Sequence, residues 1–485
     1  MKGNNRRLSG AAIFTGKAVT GTVETCNFEA FRFFGPGHKR YKAEELQAIA
    51  WVFKQHYIEQ DPFNLNGEPL LLYDKRGWSF LFSRNRNAVS WIGEFFMLAS
   101  LCRPRSWVIG LTLSCSALTA FSDPVKITKS EVPFQVTTYA EGLQNPWGMA
   151  FLPDQRILVT ERVGTMRIVG TDGKPGEPLK GLPEIFVRGQ GGLLDVVIAP
   201  DFAESKRIYF SYSEPDPKGK GNSTAVAHAV LGDNEITNVT PVFVQQPKVN
   251  SNAHFGSRLV FNSDGTLFIT LGDRYSRMTD AQTLDNHHGK VVRIKADGGA
   301  PEDNPYVKTN GALPEIWSIG HRNVQGAALN PVTGALWTGE HGPQGGDEIN
   351  IDEAGKNYGW PIITYGENYG GGKIGIGTHK EGMEQPIHKW VPSLATAGMT
   401  FYTGKAFPEW KNNLFIASLA SQTLVRLVIE DDKVVKEERL LKDDVGQRLR
   451  HVVQGPDGLL YLLTDEGKGR ILKLEPVSEK ATEES

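Results

Sequence analysis

Residues 319–361 read IGHRNVQGAALNPVTGALWTGEHGPQGGDEINIDEAGKNYGWP. This stretch alternates apolar runs with turns, and three of the turns carry polar side chains: His321-Arg322-Asn323, Glu340-His341-Gly342-Pro343 and Asn357-Tyr358-Gly359-Trp360-Pro361. Glycine and proline are typical of tight turns, and glycine also lets the backbone approach another group closely. Taken alone, the stretch fits a structural loop of an all-β fold as well as it fits a binding site.

The apolar runs of this stretch belong to a unit that occurs six times from residue 145 onward. Each unit has a small residue, an apolar run, a turn and a hydrophobic strand, and the copies span 148–160, 192–211, 257–270, 326–338, 398–417 and 451–463. Recurrence roughly every 45–70 residues is typical of a β-propeller, in which each blade needs neighbours to cover both its faces. Six copies therefore predict an all-β, six-bladed β-propeller. A pair of β-sandwiches is the alternative, but it gives no reason for the repeat.

Polar residues stand immediately before four of these apolar runs. They are Gln190 before the second, His254 before the third, Arg322 and Asn323 before the fourth, and Arg448 and Arg450 before the sixth. Equivalent loops of a propeller meet at one end of its channel, so these side chains are predicted to share one mouth. Three guanidinium groups there repel each other unless an anion lies among them, and arginine binds carboxylates in a bidentate manner. The pattern predicts a planar, multiply anionic ligand beside a potential base, although any one of these residues alone would more often be structural.

Oxygen ligands for a cation are suggested less directly. Backbone carbonyls at the Gly342-Pro343 turn lie close in sequence to the arginine loop, and such oxygens suit Ca²⁺. Glu348 and the carbonyl of Tyr358 could form another site. From spacing alone, an ordinary solvated acidic turn at Asp347-Glu348 remains the simpler interpretation.

The composition is that of an ordinary globular protein. The chain has 485 residues, 40% hydrophobic and 22% charged, and its net charge of −2 gives no electrostatic reason to expect nucleic-acid binding. All three cysteines precede residue 121, so no cysteine-based zinc site or disulfide framework is available to the repeat region.

Residues 97–122 read MLASLCRPRSWVIGLTLSCSALTAFS and have the form of a secretory signal peptide. Arg103 and Arg105 precede a short apolar run, and Ala120-Phe121-Ser122 fits the small-x-small cleavage rule. We therefore expect a periplasmic propeller domain over residues 123–485. Residues 1–96 carry no catalytic signature and are interpreted as an N-terminal extension that results from a start codon placed too early. The other interpretation is a genuine extension, which would leave an uncleaved membrane anchor.

Six motifs, in order, closely resemble the PQQ-dependent aldose sugar dehydrogenases, which are relatives of soluble quinoprotein glucose dehydrogenase. The motifs are GQGGLLDVVIAPDF, NAHFGSRLVF, GHRNVQG, EHGPQGGDEIN, GKNYGWP and QRLRHVVQGPDG, and the resemblance covers about residues 133–474. It implies a six-bladed propeller that holds pyrroloquinoline quinone (PQQ) with Ca²⁺ at the channel mouth. It also implies oxidation of an aldose at its C1 hydroxyl to a lactone, with electrons passed to an acceptor that the sequence does not identify.

The same resemblance implies roles for individual residues. His254 corresponds to the general base, and Arg322 to a cofactor-binding residue beside the reactive carbonyl. Further cofactor contacts would come from Gln190, Asn323, Tyr369, Arg448 and Arg450. The carbonyls of Gly342 and Pro343 would bind the calcium ion of the cofactor, and Glu348 with Tyr358 would bind a second, structural calcium ion.

One position departs from the family pattern. Relatives usually have a lysine shortly after the second strand of the fifth copy, where this sequence has Ala420, so a cofactor contact is lost or replaced. Two other functions stay open. A calcium-dependent propeller lactonase would need carboxylate and asparagine ligands along the channel, and a non-catalytic binding propeller could keep the fold without the cofactor.

Overall fold

The computed structural model describes residues 70–73, 79–82, 124–127 and 129–477. The predicted signal peptide at 97–122 lies outside the described residues, as does most of the predicted extension. Within that extension, β1 (Leu70–Tyr73) and β2 (Ser79–Phe82) pair in antiparallel orientation. The chain divides into two compact units, residues 1–114 and 115–485. Among the helices that the structure describes, none combines the length and the apolar character needed to cross a bilayer.

The repeat region forms six antiparallel sheets, and the first five each use consecutive strands. The first contains β5 (Pro146–Phe151), β6 (Ile157–Glu161) and β7 (Thr165–Val169). The second contains β8 (Leu193–Ile198), β9 (Arg207–Pro215), β10 (Asn222–Leu231) and β11 (Ile236–Val244). The third contains β12 (Leu259–Phe261), β13 (Leu267–Thr270), β14 (Lys290–Ile294) and β15 (Ile316–Ile319).

The fourth and fifth sheets follow the same order. The fourth contains β16 (Val324–Leu329), β17 (Leu336–Glu340), β18 (Asp347–Asp352) and β19 (His388–Trp390). The fifth contains β20 (Thr396–Phe401), β21 (Leu414–Ser418), β22 (Leu424–Glu430) and β23 (Lys433–Leu440). Helices in the described residues are short: α1 (Phe202–Ser205), α2 (Lys442–Val445) and the 3-10 helices Met278–Gln282 and Pro408–Trp410.

The sixth sheet closes the ring by joining both ends of the repeat region. Strands β24 (Leu449–Gln454), β25 (Leu460–Thr464) and β26 (Gly469–Pro476) are followed in this sheet by β4 (Phe134–Leu143) and β3 (Val125–Ile127). The ladder between β26 and β4 runs from the pair Gly469 and Leu143 to the pair Pro476 and Phe134. Opening the ring at this blade would require breaking that ladder, so the N-terminal strands fasten the fold.

The ring itself is visible in the contacts of the innermost strands. Neighbours meet in the order β5, β8, β12, β16, β20 and β24, and β24 also contacts β5. Each predicted apolar run forms one of these inner strands, and each predicted second strand pairs with it. The predicted all-β, six-bladed β-propeller is therefore confirmed. The alternative pair of sandwiches is wrong, because six separate sheets follow one another around a channel.

Hydrophobic cores fill the six interfaces between neighbouring blades. At the interface between the fifth and sixth blades, for example, Trp410 packs in one cluster with Phe134 and Leu462. Between the third and fourth blades, Phe268 and Leu336 do the same. Burial of apolar surface stabilises a fold by about 25 cal/mol per Å². Each sheet can bury both of its faces only when the ring is complete.

Strand direction decides which loops share the mouth of the channel. In an antiparallel sheet, the start of one strand lies next to the end of the strand that follows it. The loops before the first strands of the blades therefore lie at the same end as the loops after the second strands. Side chains from both sets of loops form the site described next.

Candidate functional site

His254 lies in the loop before β12, and a buried carboxylate holds its imidazole. Its Nδ1 lies 2.6 Å from Oδ1 of Asp273, which follows β13, and Oδ2 of Asp273 accepts a hydrogen bond of 2.8 Å from the indole of Trp360. The backbone N–H of His254 donates to Oε1 of Gln190 at 2.7 Å. An ionised carboxylate can only accept hydrogen bonds, so Nδ1 carries a proton and Nε2 keeps its lone pair in the neutral ring.

The surroundings favour a neutral imidazole beside an ionised carboxylate. Burial lowers the pKa of His254, because an imidazolium would lose its hydration there, and the Arg322 charge lowers it further against the opposing effect of Asp273. Burial alone would raise the pKa of Asp273, but its hydrogen bond with His254 and the charge of Arg322 keep that pKa below its ordinary value. Nε2 of His254 can therefore accept a proton at neutral pH.

A cavity of about 340 Å³ lies among the loops at this end of the channel. Its polar lining comes from several blades: Arg162, Gln190, Asn323, Gln325, His341, Arg448, Arg450 and Asp465. Its apolar walls include Trp147, Leu194, Phe255 and Leu419. Three guanidinium groups thus face a cavity with one carboxylate, and the flat apolar walls suit a planar ring.

Asp465 organises two of the three arginines. Its Oδ2 accepts a hydrogen bond of 2.5 Å from Nη2 of Arg450 and lies 3.6 Å from Nη2 of Arg448. Arg450 also donates through Nη1 to Oε1 of Gln325 at 2.9 Å. In the part of the chain that the structure describes, its Nε is buried without a hydrogen-bond partner. One carboxylate cannot neutralise three guanidinium groups, so the cavity favours a ligand with several carboxylates.

Arg322 lies between this cavity and a second, smaller one. Its Nη1 donates to the carbonyl of Gly342 at 2.6 Å and to that of His341 at 3.2 Å. Its guanidinium carbon lies 5.4 Å from the centre of the Trp360 ring. The small cavity is lined mainly by residues of the fourth blade and its loops: Gly320, Arg322, Glu340, His341, Gly342, Gly346, Glu348, Tyr358, Trp360, Ile363 and Thr364.

Two opposed carboxyl groups line the small cavity. Glu340 and Glu348 are direct partners on β17 and β18, so both side chains lie on one face of the sheet. Burial and the Glu340 charge raise the pKa of Glu348 to about 8. Glu340 accepts from the backbone N–H of Arg322 at 2.7 Å and contacts Nδ1 of His321 at 3.0 Å. Carboxylates beside backbone carbonyls are a donor set that suits a hard cation.

The similarity to known proteins matches this geometry. The family model for glucose / sorbosone dehydrogenase matches residues 143–473. The chain belongs to this family. It is 48% identical over 346 residues to aldose sugar dehydrogenase YliI of Escherichia coli K12, and the alignment covers 70% of this chain and 92% of that protein. This member of the family is therefore an oxidoreductase that acts on sugars.

Solved structures support the same membership. The soluble aldose sugar dehydrogenase of Escherichia coli, in its apo form, is 46% identical to this chain, and the two structures superpose with a TM-score of 0.69. The alignment covers 71% of this chain and 100% of the other. The PQQ-bound aldose sugar dehydrogenase of Streptomyces coelicolor is 27% identical, and its structure superposes with a TM-score of 0.58. That alignment covers 70% of this chain and 96% of the other.

The fold of this dehydrogenase brings most of the predicted site residues together. Gln190, Asn323, Arg448 and Arg450 line the large cavity. His254 and Arg322 do not line it, but each precedes in sequence a residue that does. Arg450 is the second residue of β24 and not a loop residue, so its buried side chain points from the inner strand. The individual roles of these residues stay predictions.

The predicted metal ligands and Tyr369 are placed less uniformly. Glu348 and Tyr358 both line the small cavity, whereas Pro343 lines neither cavity. The carbonyl of Gly342 already accepts a hydrogen bond from Arg322, so a calcium ion there would share or displace that contact. Tyr369 is 64% exposed and lines neither cavity. Among the described residues, no group of three or more His, Cys, Asp or Glu side chains is arranged to hold a metal ion.

Several residues of the site were not predicted from the sequence, among them Arg162, Asp273, Trp360 and Asp465. Arg162, Asp273 and Asp465 stand one to three positions after the second strands β6, β13 and β25. The sequence interpretation considered the residues before the first strands and overlooked these loops. A charged residue shortly after these three second strands was the signal that could have found them, because those loops lie at the same end of the channel.

Proposed function

We propose that this enzyme oxidises the C1 hydroxyl of an aldose to a lactone, with PQQ as its oxidant and Ca²⁺ as a second cofactor. The observation that carries the proposal is the combination of a three-arginine cavity with a carboxylate-held, neutral histidine at one channel mouth. Arg162, Arg448 and Arg450 suit the carboxylates of this planar cofactor, and Trp147 and Phe255 suit its rings. When bound, PQQ would supply a quinone that accepts the hydride from C1 and, with it, the two electrons of the oxidation.

The protein contributes the proton acceptor and its orientation. Nε2 of His254 takes the proton of the C1 hydroxyl while the C1 hydrogen leaves as hydride, which completes a two-electron oxidation of the sugar. Asp273 fixes the tautomer of His254 and stabilises the imidazolium that forms. Arg322 supplies a positive charge close enough to lower the pKa of His254, and it favours negative charge that develops nearby.

Calcium fits the residues in part. The opposed carboxylates of Glu340 and Glu348 favour a cation in the small cavity, and Glu348 with the Tyr358 carbonyl would hold a structural calcium ion. The calcium ion of the cofactor would use the carbonyls of Gly342 and Pro343, of which the first is engaged by Arg322. The two sites are therefore separate parts of the proposal.

The two other functions have less support. Family membership makes the protein a sugar oxidoreductase, which is not the activity of a lactonase or of a binding propeller. The large cavity has one carboxylate, Asp465, and that carboxylate is paired with Arg450. Ala420 was the hint toward a non-catalytic propeller, yet the cavity beside its neighbour Leu419 retains three arginines.

Reconstitution tests the proposal directly. Purified protein is titrated with PQQ in the presence of Ca²⁺, and the absorbance of the bound quinone is followed before and after addition of glucose. We expect saturable binding and rapid loss of the oxidised quinone band with sugar. Absence of binding would overturn the cofactor assignment, and binding without reduction would overturn the proposed chemistry.

We also propose that the propeller is exported to the periplasm and reduces an electron acceptor of unknown identity. The pattern at residues 97–122 supports export. Mass spectrometry of the periplasmic fraction should find a chain that starts near Asp123. A full-length product in the cytoplasm would contradict this.

A further inference from the structure

Beside His254, Tyr275 presents an aromatic ring that the proposed function does not yet use. The ring centres of Tyr275 and His254 lie 5.3 Å apart, and their planes meet at 74°. Tyr275 is 60% exposed. Within the part of the propeller that the structure describes, no hydrogen bond holds its hydroxyl group. The Tyr275 ring therefore forms an exposed wall beside the largely buried imidazole of His254.

The backbone that presents this ring adopts an unfavourable conformation. Arg274 has a φ of +55° and Tyr275 a φ of +62°, which side chains other than asparagine, aspartate and glycine rarely adopt. The N–H of Tyr275 donates to Oδ1 of Asp273 at 2.7 Å, and the same oxygen contacts Nδ1 of His254. One carboxylate oxygen thus fixes both the base and the aromatic ring.

The neighbouring Arg274 anchors this turn to the loop that carries His254. Arg274 is fully buried, and its guanidinium donates to the carbonyls of Asn222, Ser251 and Ala253 at 2.8–3.1 Å. The guanidinium carbon also lies 3.9 Å from the centre of the Phe255 ring. Strained conformations persist where the surrounding structure holds them, and they are concentrated at functional sites. Here the strained turn presents an exposed ring that is not part of any hydrophobic core among the described residues.

We propose that Tyr275 is the stacking wall of the aldose subsite and that the C1 hydroxyl of the sugar points from this wall toward Nε2 of His254. One face of a pyranose carries mainly C–H bonds with partial positive charge, and the face of an aromatic ring is negative. A sugar seated on Tyr275 would keep its hydroxyl groups at the edge, where Nε2 of His254 can reach one of them. The inference rests on the proposed function, because it takes His254 as the base.

Three variants test this wall. Tyr275→Gly removes the ring and suits the left-handed backbone, and Tyr275→Phe keeps the ring. Val332→Ala is the control, because Val332 is 69% exposed in the turn between β16 and β17 at the opposite end of the channel. In PQQ-loaded enzyme we expect Tyr275→Gly to raise the KM for glucose by about 3- to 10-fold, with a smaller change in kcat. Tyr275→Phe and Val332→Ala should keep the KM of the unmodified enzyme.

Two further measurements separate a sugar contact from a structural role. The Tm of Tyr275→Gly should equal or exceed that of the unmodified enzyme, because glycine relieves the strained φ, and its PQQ titration should be unchanged. A KM that Tyr275→Gly leaves unchanged would overturn the inference, as would an equal loss in Tyr275→Phe.

The wall can be tested even if the enzyme fails to bind PQQ, which would overturn the proposed function. Saturation-transfer difference NMR of the cofactor-free chain with methyl β-glucoside then gives the answer. Transfer to the pyranose C–H hydrogens should be lost in Tyr275→Gly and kept in Tyr275→Phe. Equal transfer in both variants would overturn the stacking wall.

Discussion

The two cavities at the channel mouth meet at His341 and differ in their charged groups. The large cavity has three arginines and one carboxylate, Asp465, whereas the small one has one arginine, Arg322, and two carboxyl groups, Glu340 and Glu348. His341 lines both, and burial lowers its pKa to about 4, with help from nearby arginines, so it adds no charge to either side at neutral pH. One end of a propeller can therefore hold an anion and a cation side by side.

The difference arises from which blades contribute the loops. Blades one and six supply the arginines, and blade four supplies both glutamates from two paired strands. Arg322 stands at the boundary, where its guanidinium contacts the Gly342 carbonyl and also influences His254. Ligands of opposite charge in the two cavities would attract each other across this boundary. The ligand of each cavity can be titrated in the absence of the other, so the two cavities can be tested separately.

The largest effect should come from a change outside both cavities. His254→Gln keeps a polar side chain but cannot accept the proton, so turnover should fall by roughly 10²–10⁴. The quinone absorbance band and the response to calcium should survive. Arg322→Ala is the comparison variant, because it should weaken PQQ binding and slow the reaction together. Near-normal turnover of PQQ-loaded His254→Gln would show that the base is elsewhere.

The same histidine should set the pH dependence. Burial holds its pKa below the ordinary value of about 6.5, so the imidazole is mostly neutral at that pH and gains its proton only at a lower one. The acid limb of kcat/KM should therefore begin below that pH and then fall about tenfold per pH unit. The acid limb is measured by stopped-flow reduction of the quinone at pH values from about 4.5 to about 8, which bracket the ordinary pKa of histidine. A limb above pH 6.5 would contradict the assignment.

Arg450→Gln should weaken ligand binding in the large, arginine-lined cavity alone. Loss of a charged hydrogen bond costs about 1.5–3 kcal/mol, so PQQ affinity should fall about 10- to 150-fold. The calcium response of the small cavity should be unchanged. Because the variant also strips Asp465 of its nearest partner, the double variant with Asp465→Asn separates cofactor binding from general destabilisation. Equal PQQ affinity in all three proteins would remove Arg450 from the site.

Glu348→Gln should weaken calcium binding in the small cavity alone. Calcium that binds the folded state at 100 times its Kd stabilises by about 2.7 kcal/mol, and this variant should lose much of that gain. Without calcium it should be about as stable as the unmodified chain at neutral pH, because a pKa of about 8 already keeps Glu348 largely protonated opposite Glu340. Thermal unfolding with calcium or with EDTA measures both, and the exposed Glu381→Gln is the control. A full calcium response in Glu348→Gln would place the ion elsewhere.

The smallest effect is expected at Ala420. Ala420→Lys restores a cation that relatives usually have near the cavity, and it should tighten PQQ binding by about 1 kcal/mol, or about fivefold. Fluorescence titration of PQQ measures the change. Unchanged or weaker binding would mean that another guanidinium, such as that of Arg162, already serves the lost contact.

The sequence by itself determined the architecture and part of the mouth. The six apolar runs specify the inner strands because each inner strand must bury both of its faces. The hydrophobic pattern and the turn residues around each run make this visible in the sequence. Gln190, Asn323 and Arg448 could be assigned to one end because they precede such runs. The position of a loop relative to a repeat can be determined from the sequence without knowledge of where its side chains point.

Only the tertiary structure decided which groups touch. The packing of blade four against blade three brings Trp360 to Asp273, although 87 positions separate them in the chain, and Asp273 also contacts His254. Ring closure joins β4 to β26, and the folding of the loops of blade four turns Arg322 toward the Gly342 carbonyl and leaves Tyr369 exposed. The physical reason is that a strand pattern fixes where a loop begins, whereas hydrogen-bond partners depend on side-chain directions set by neighbouring blades.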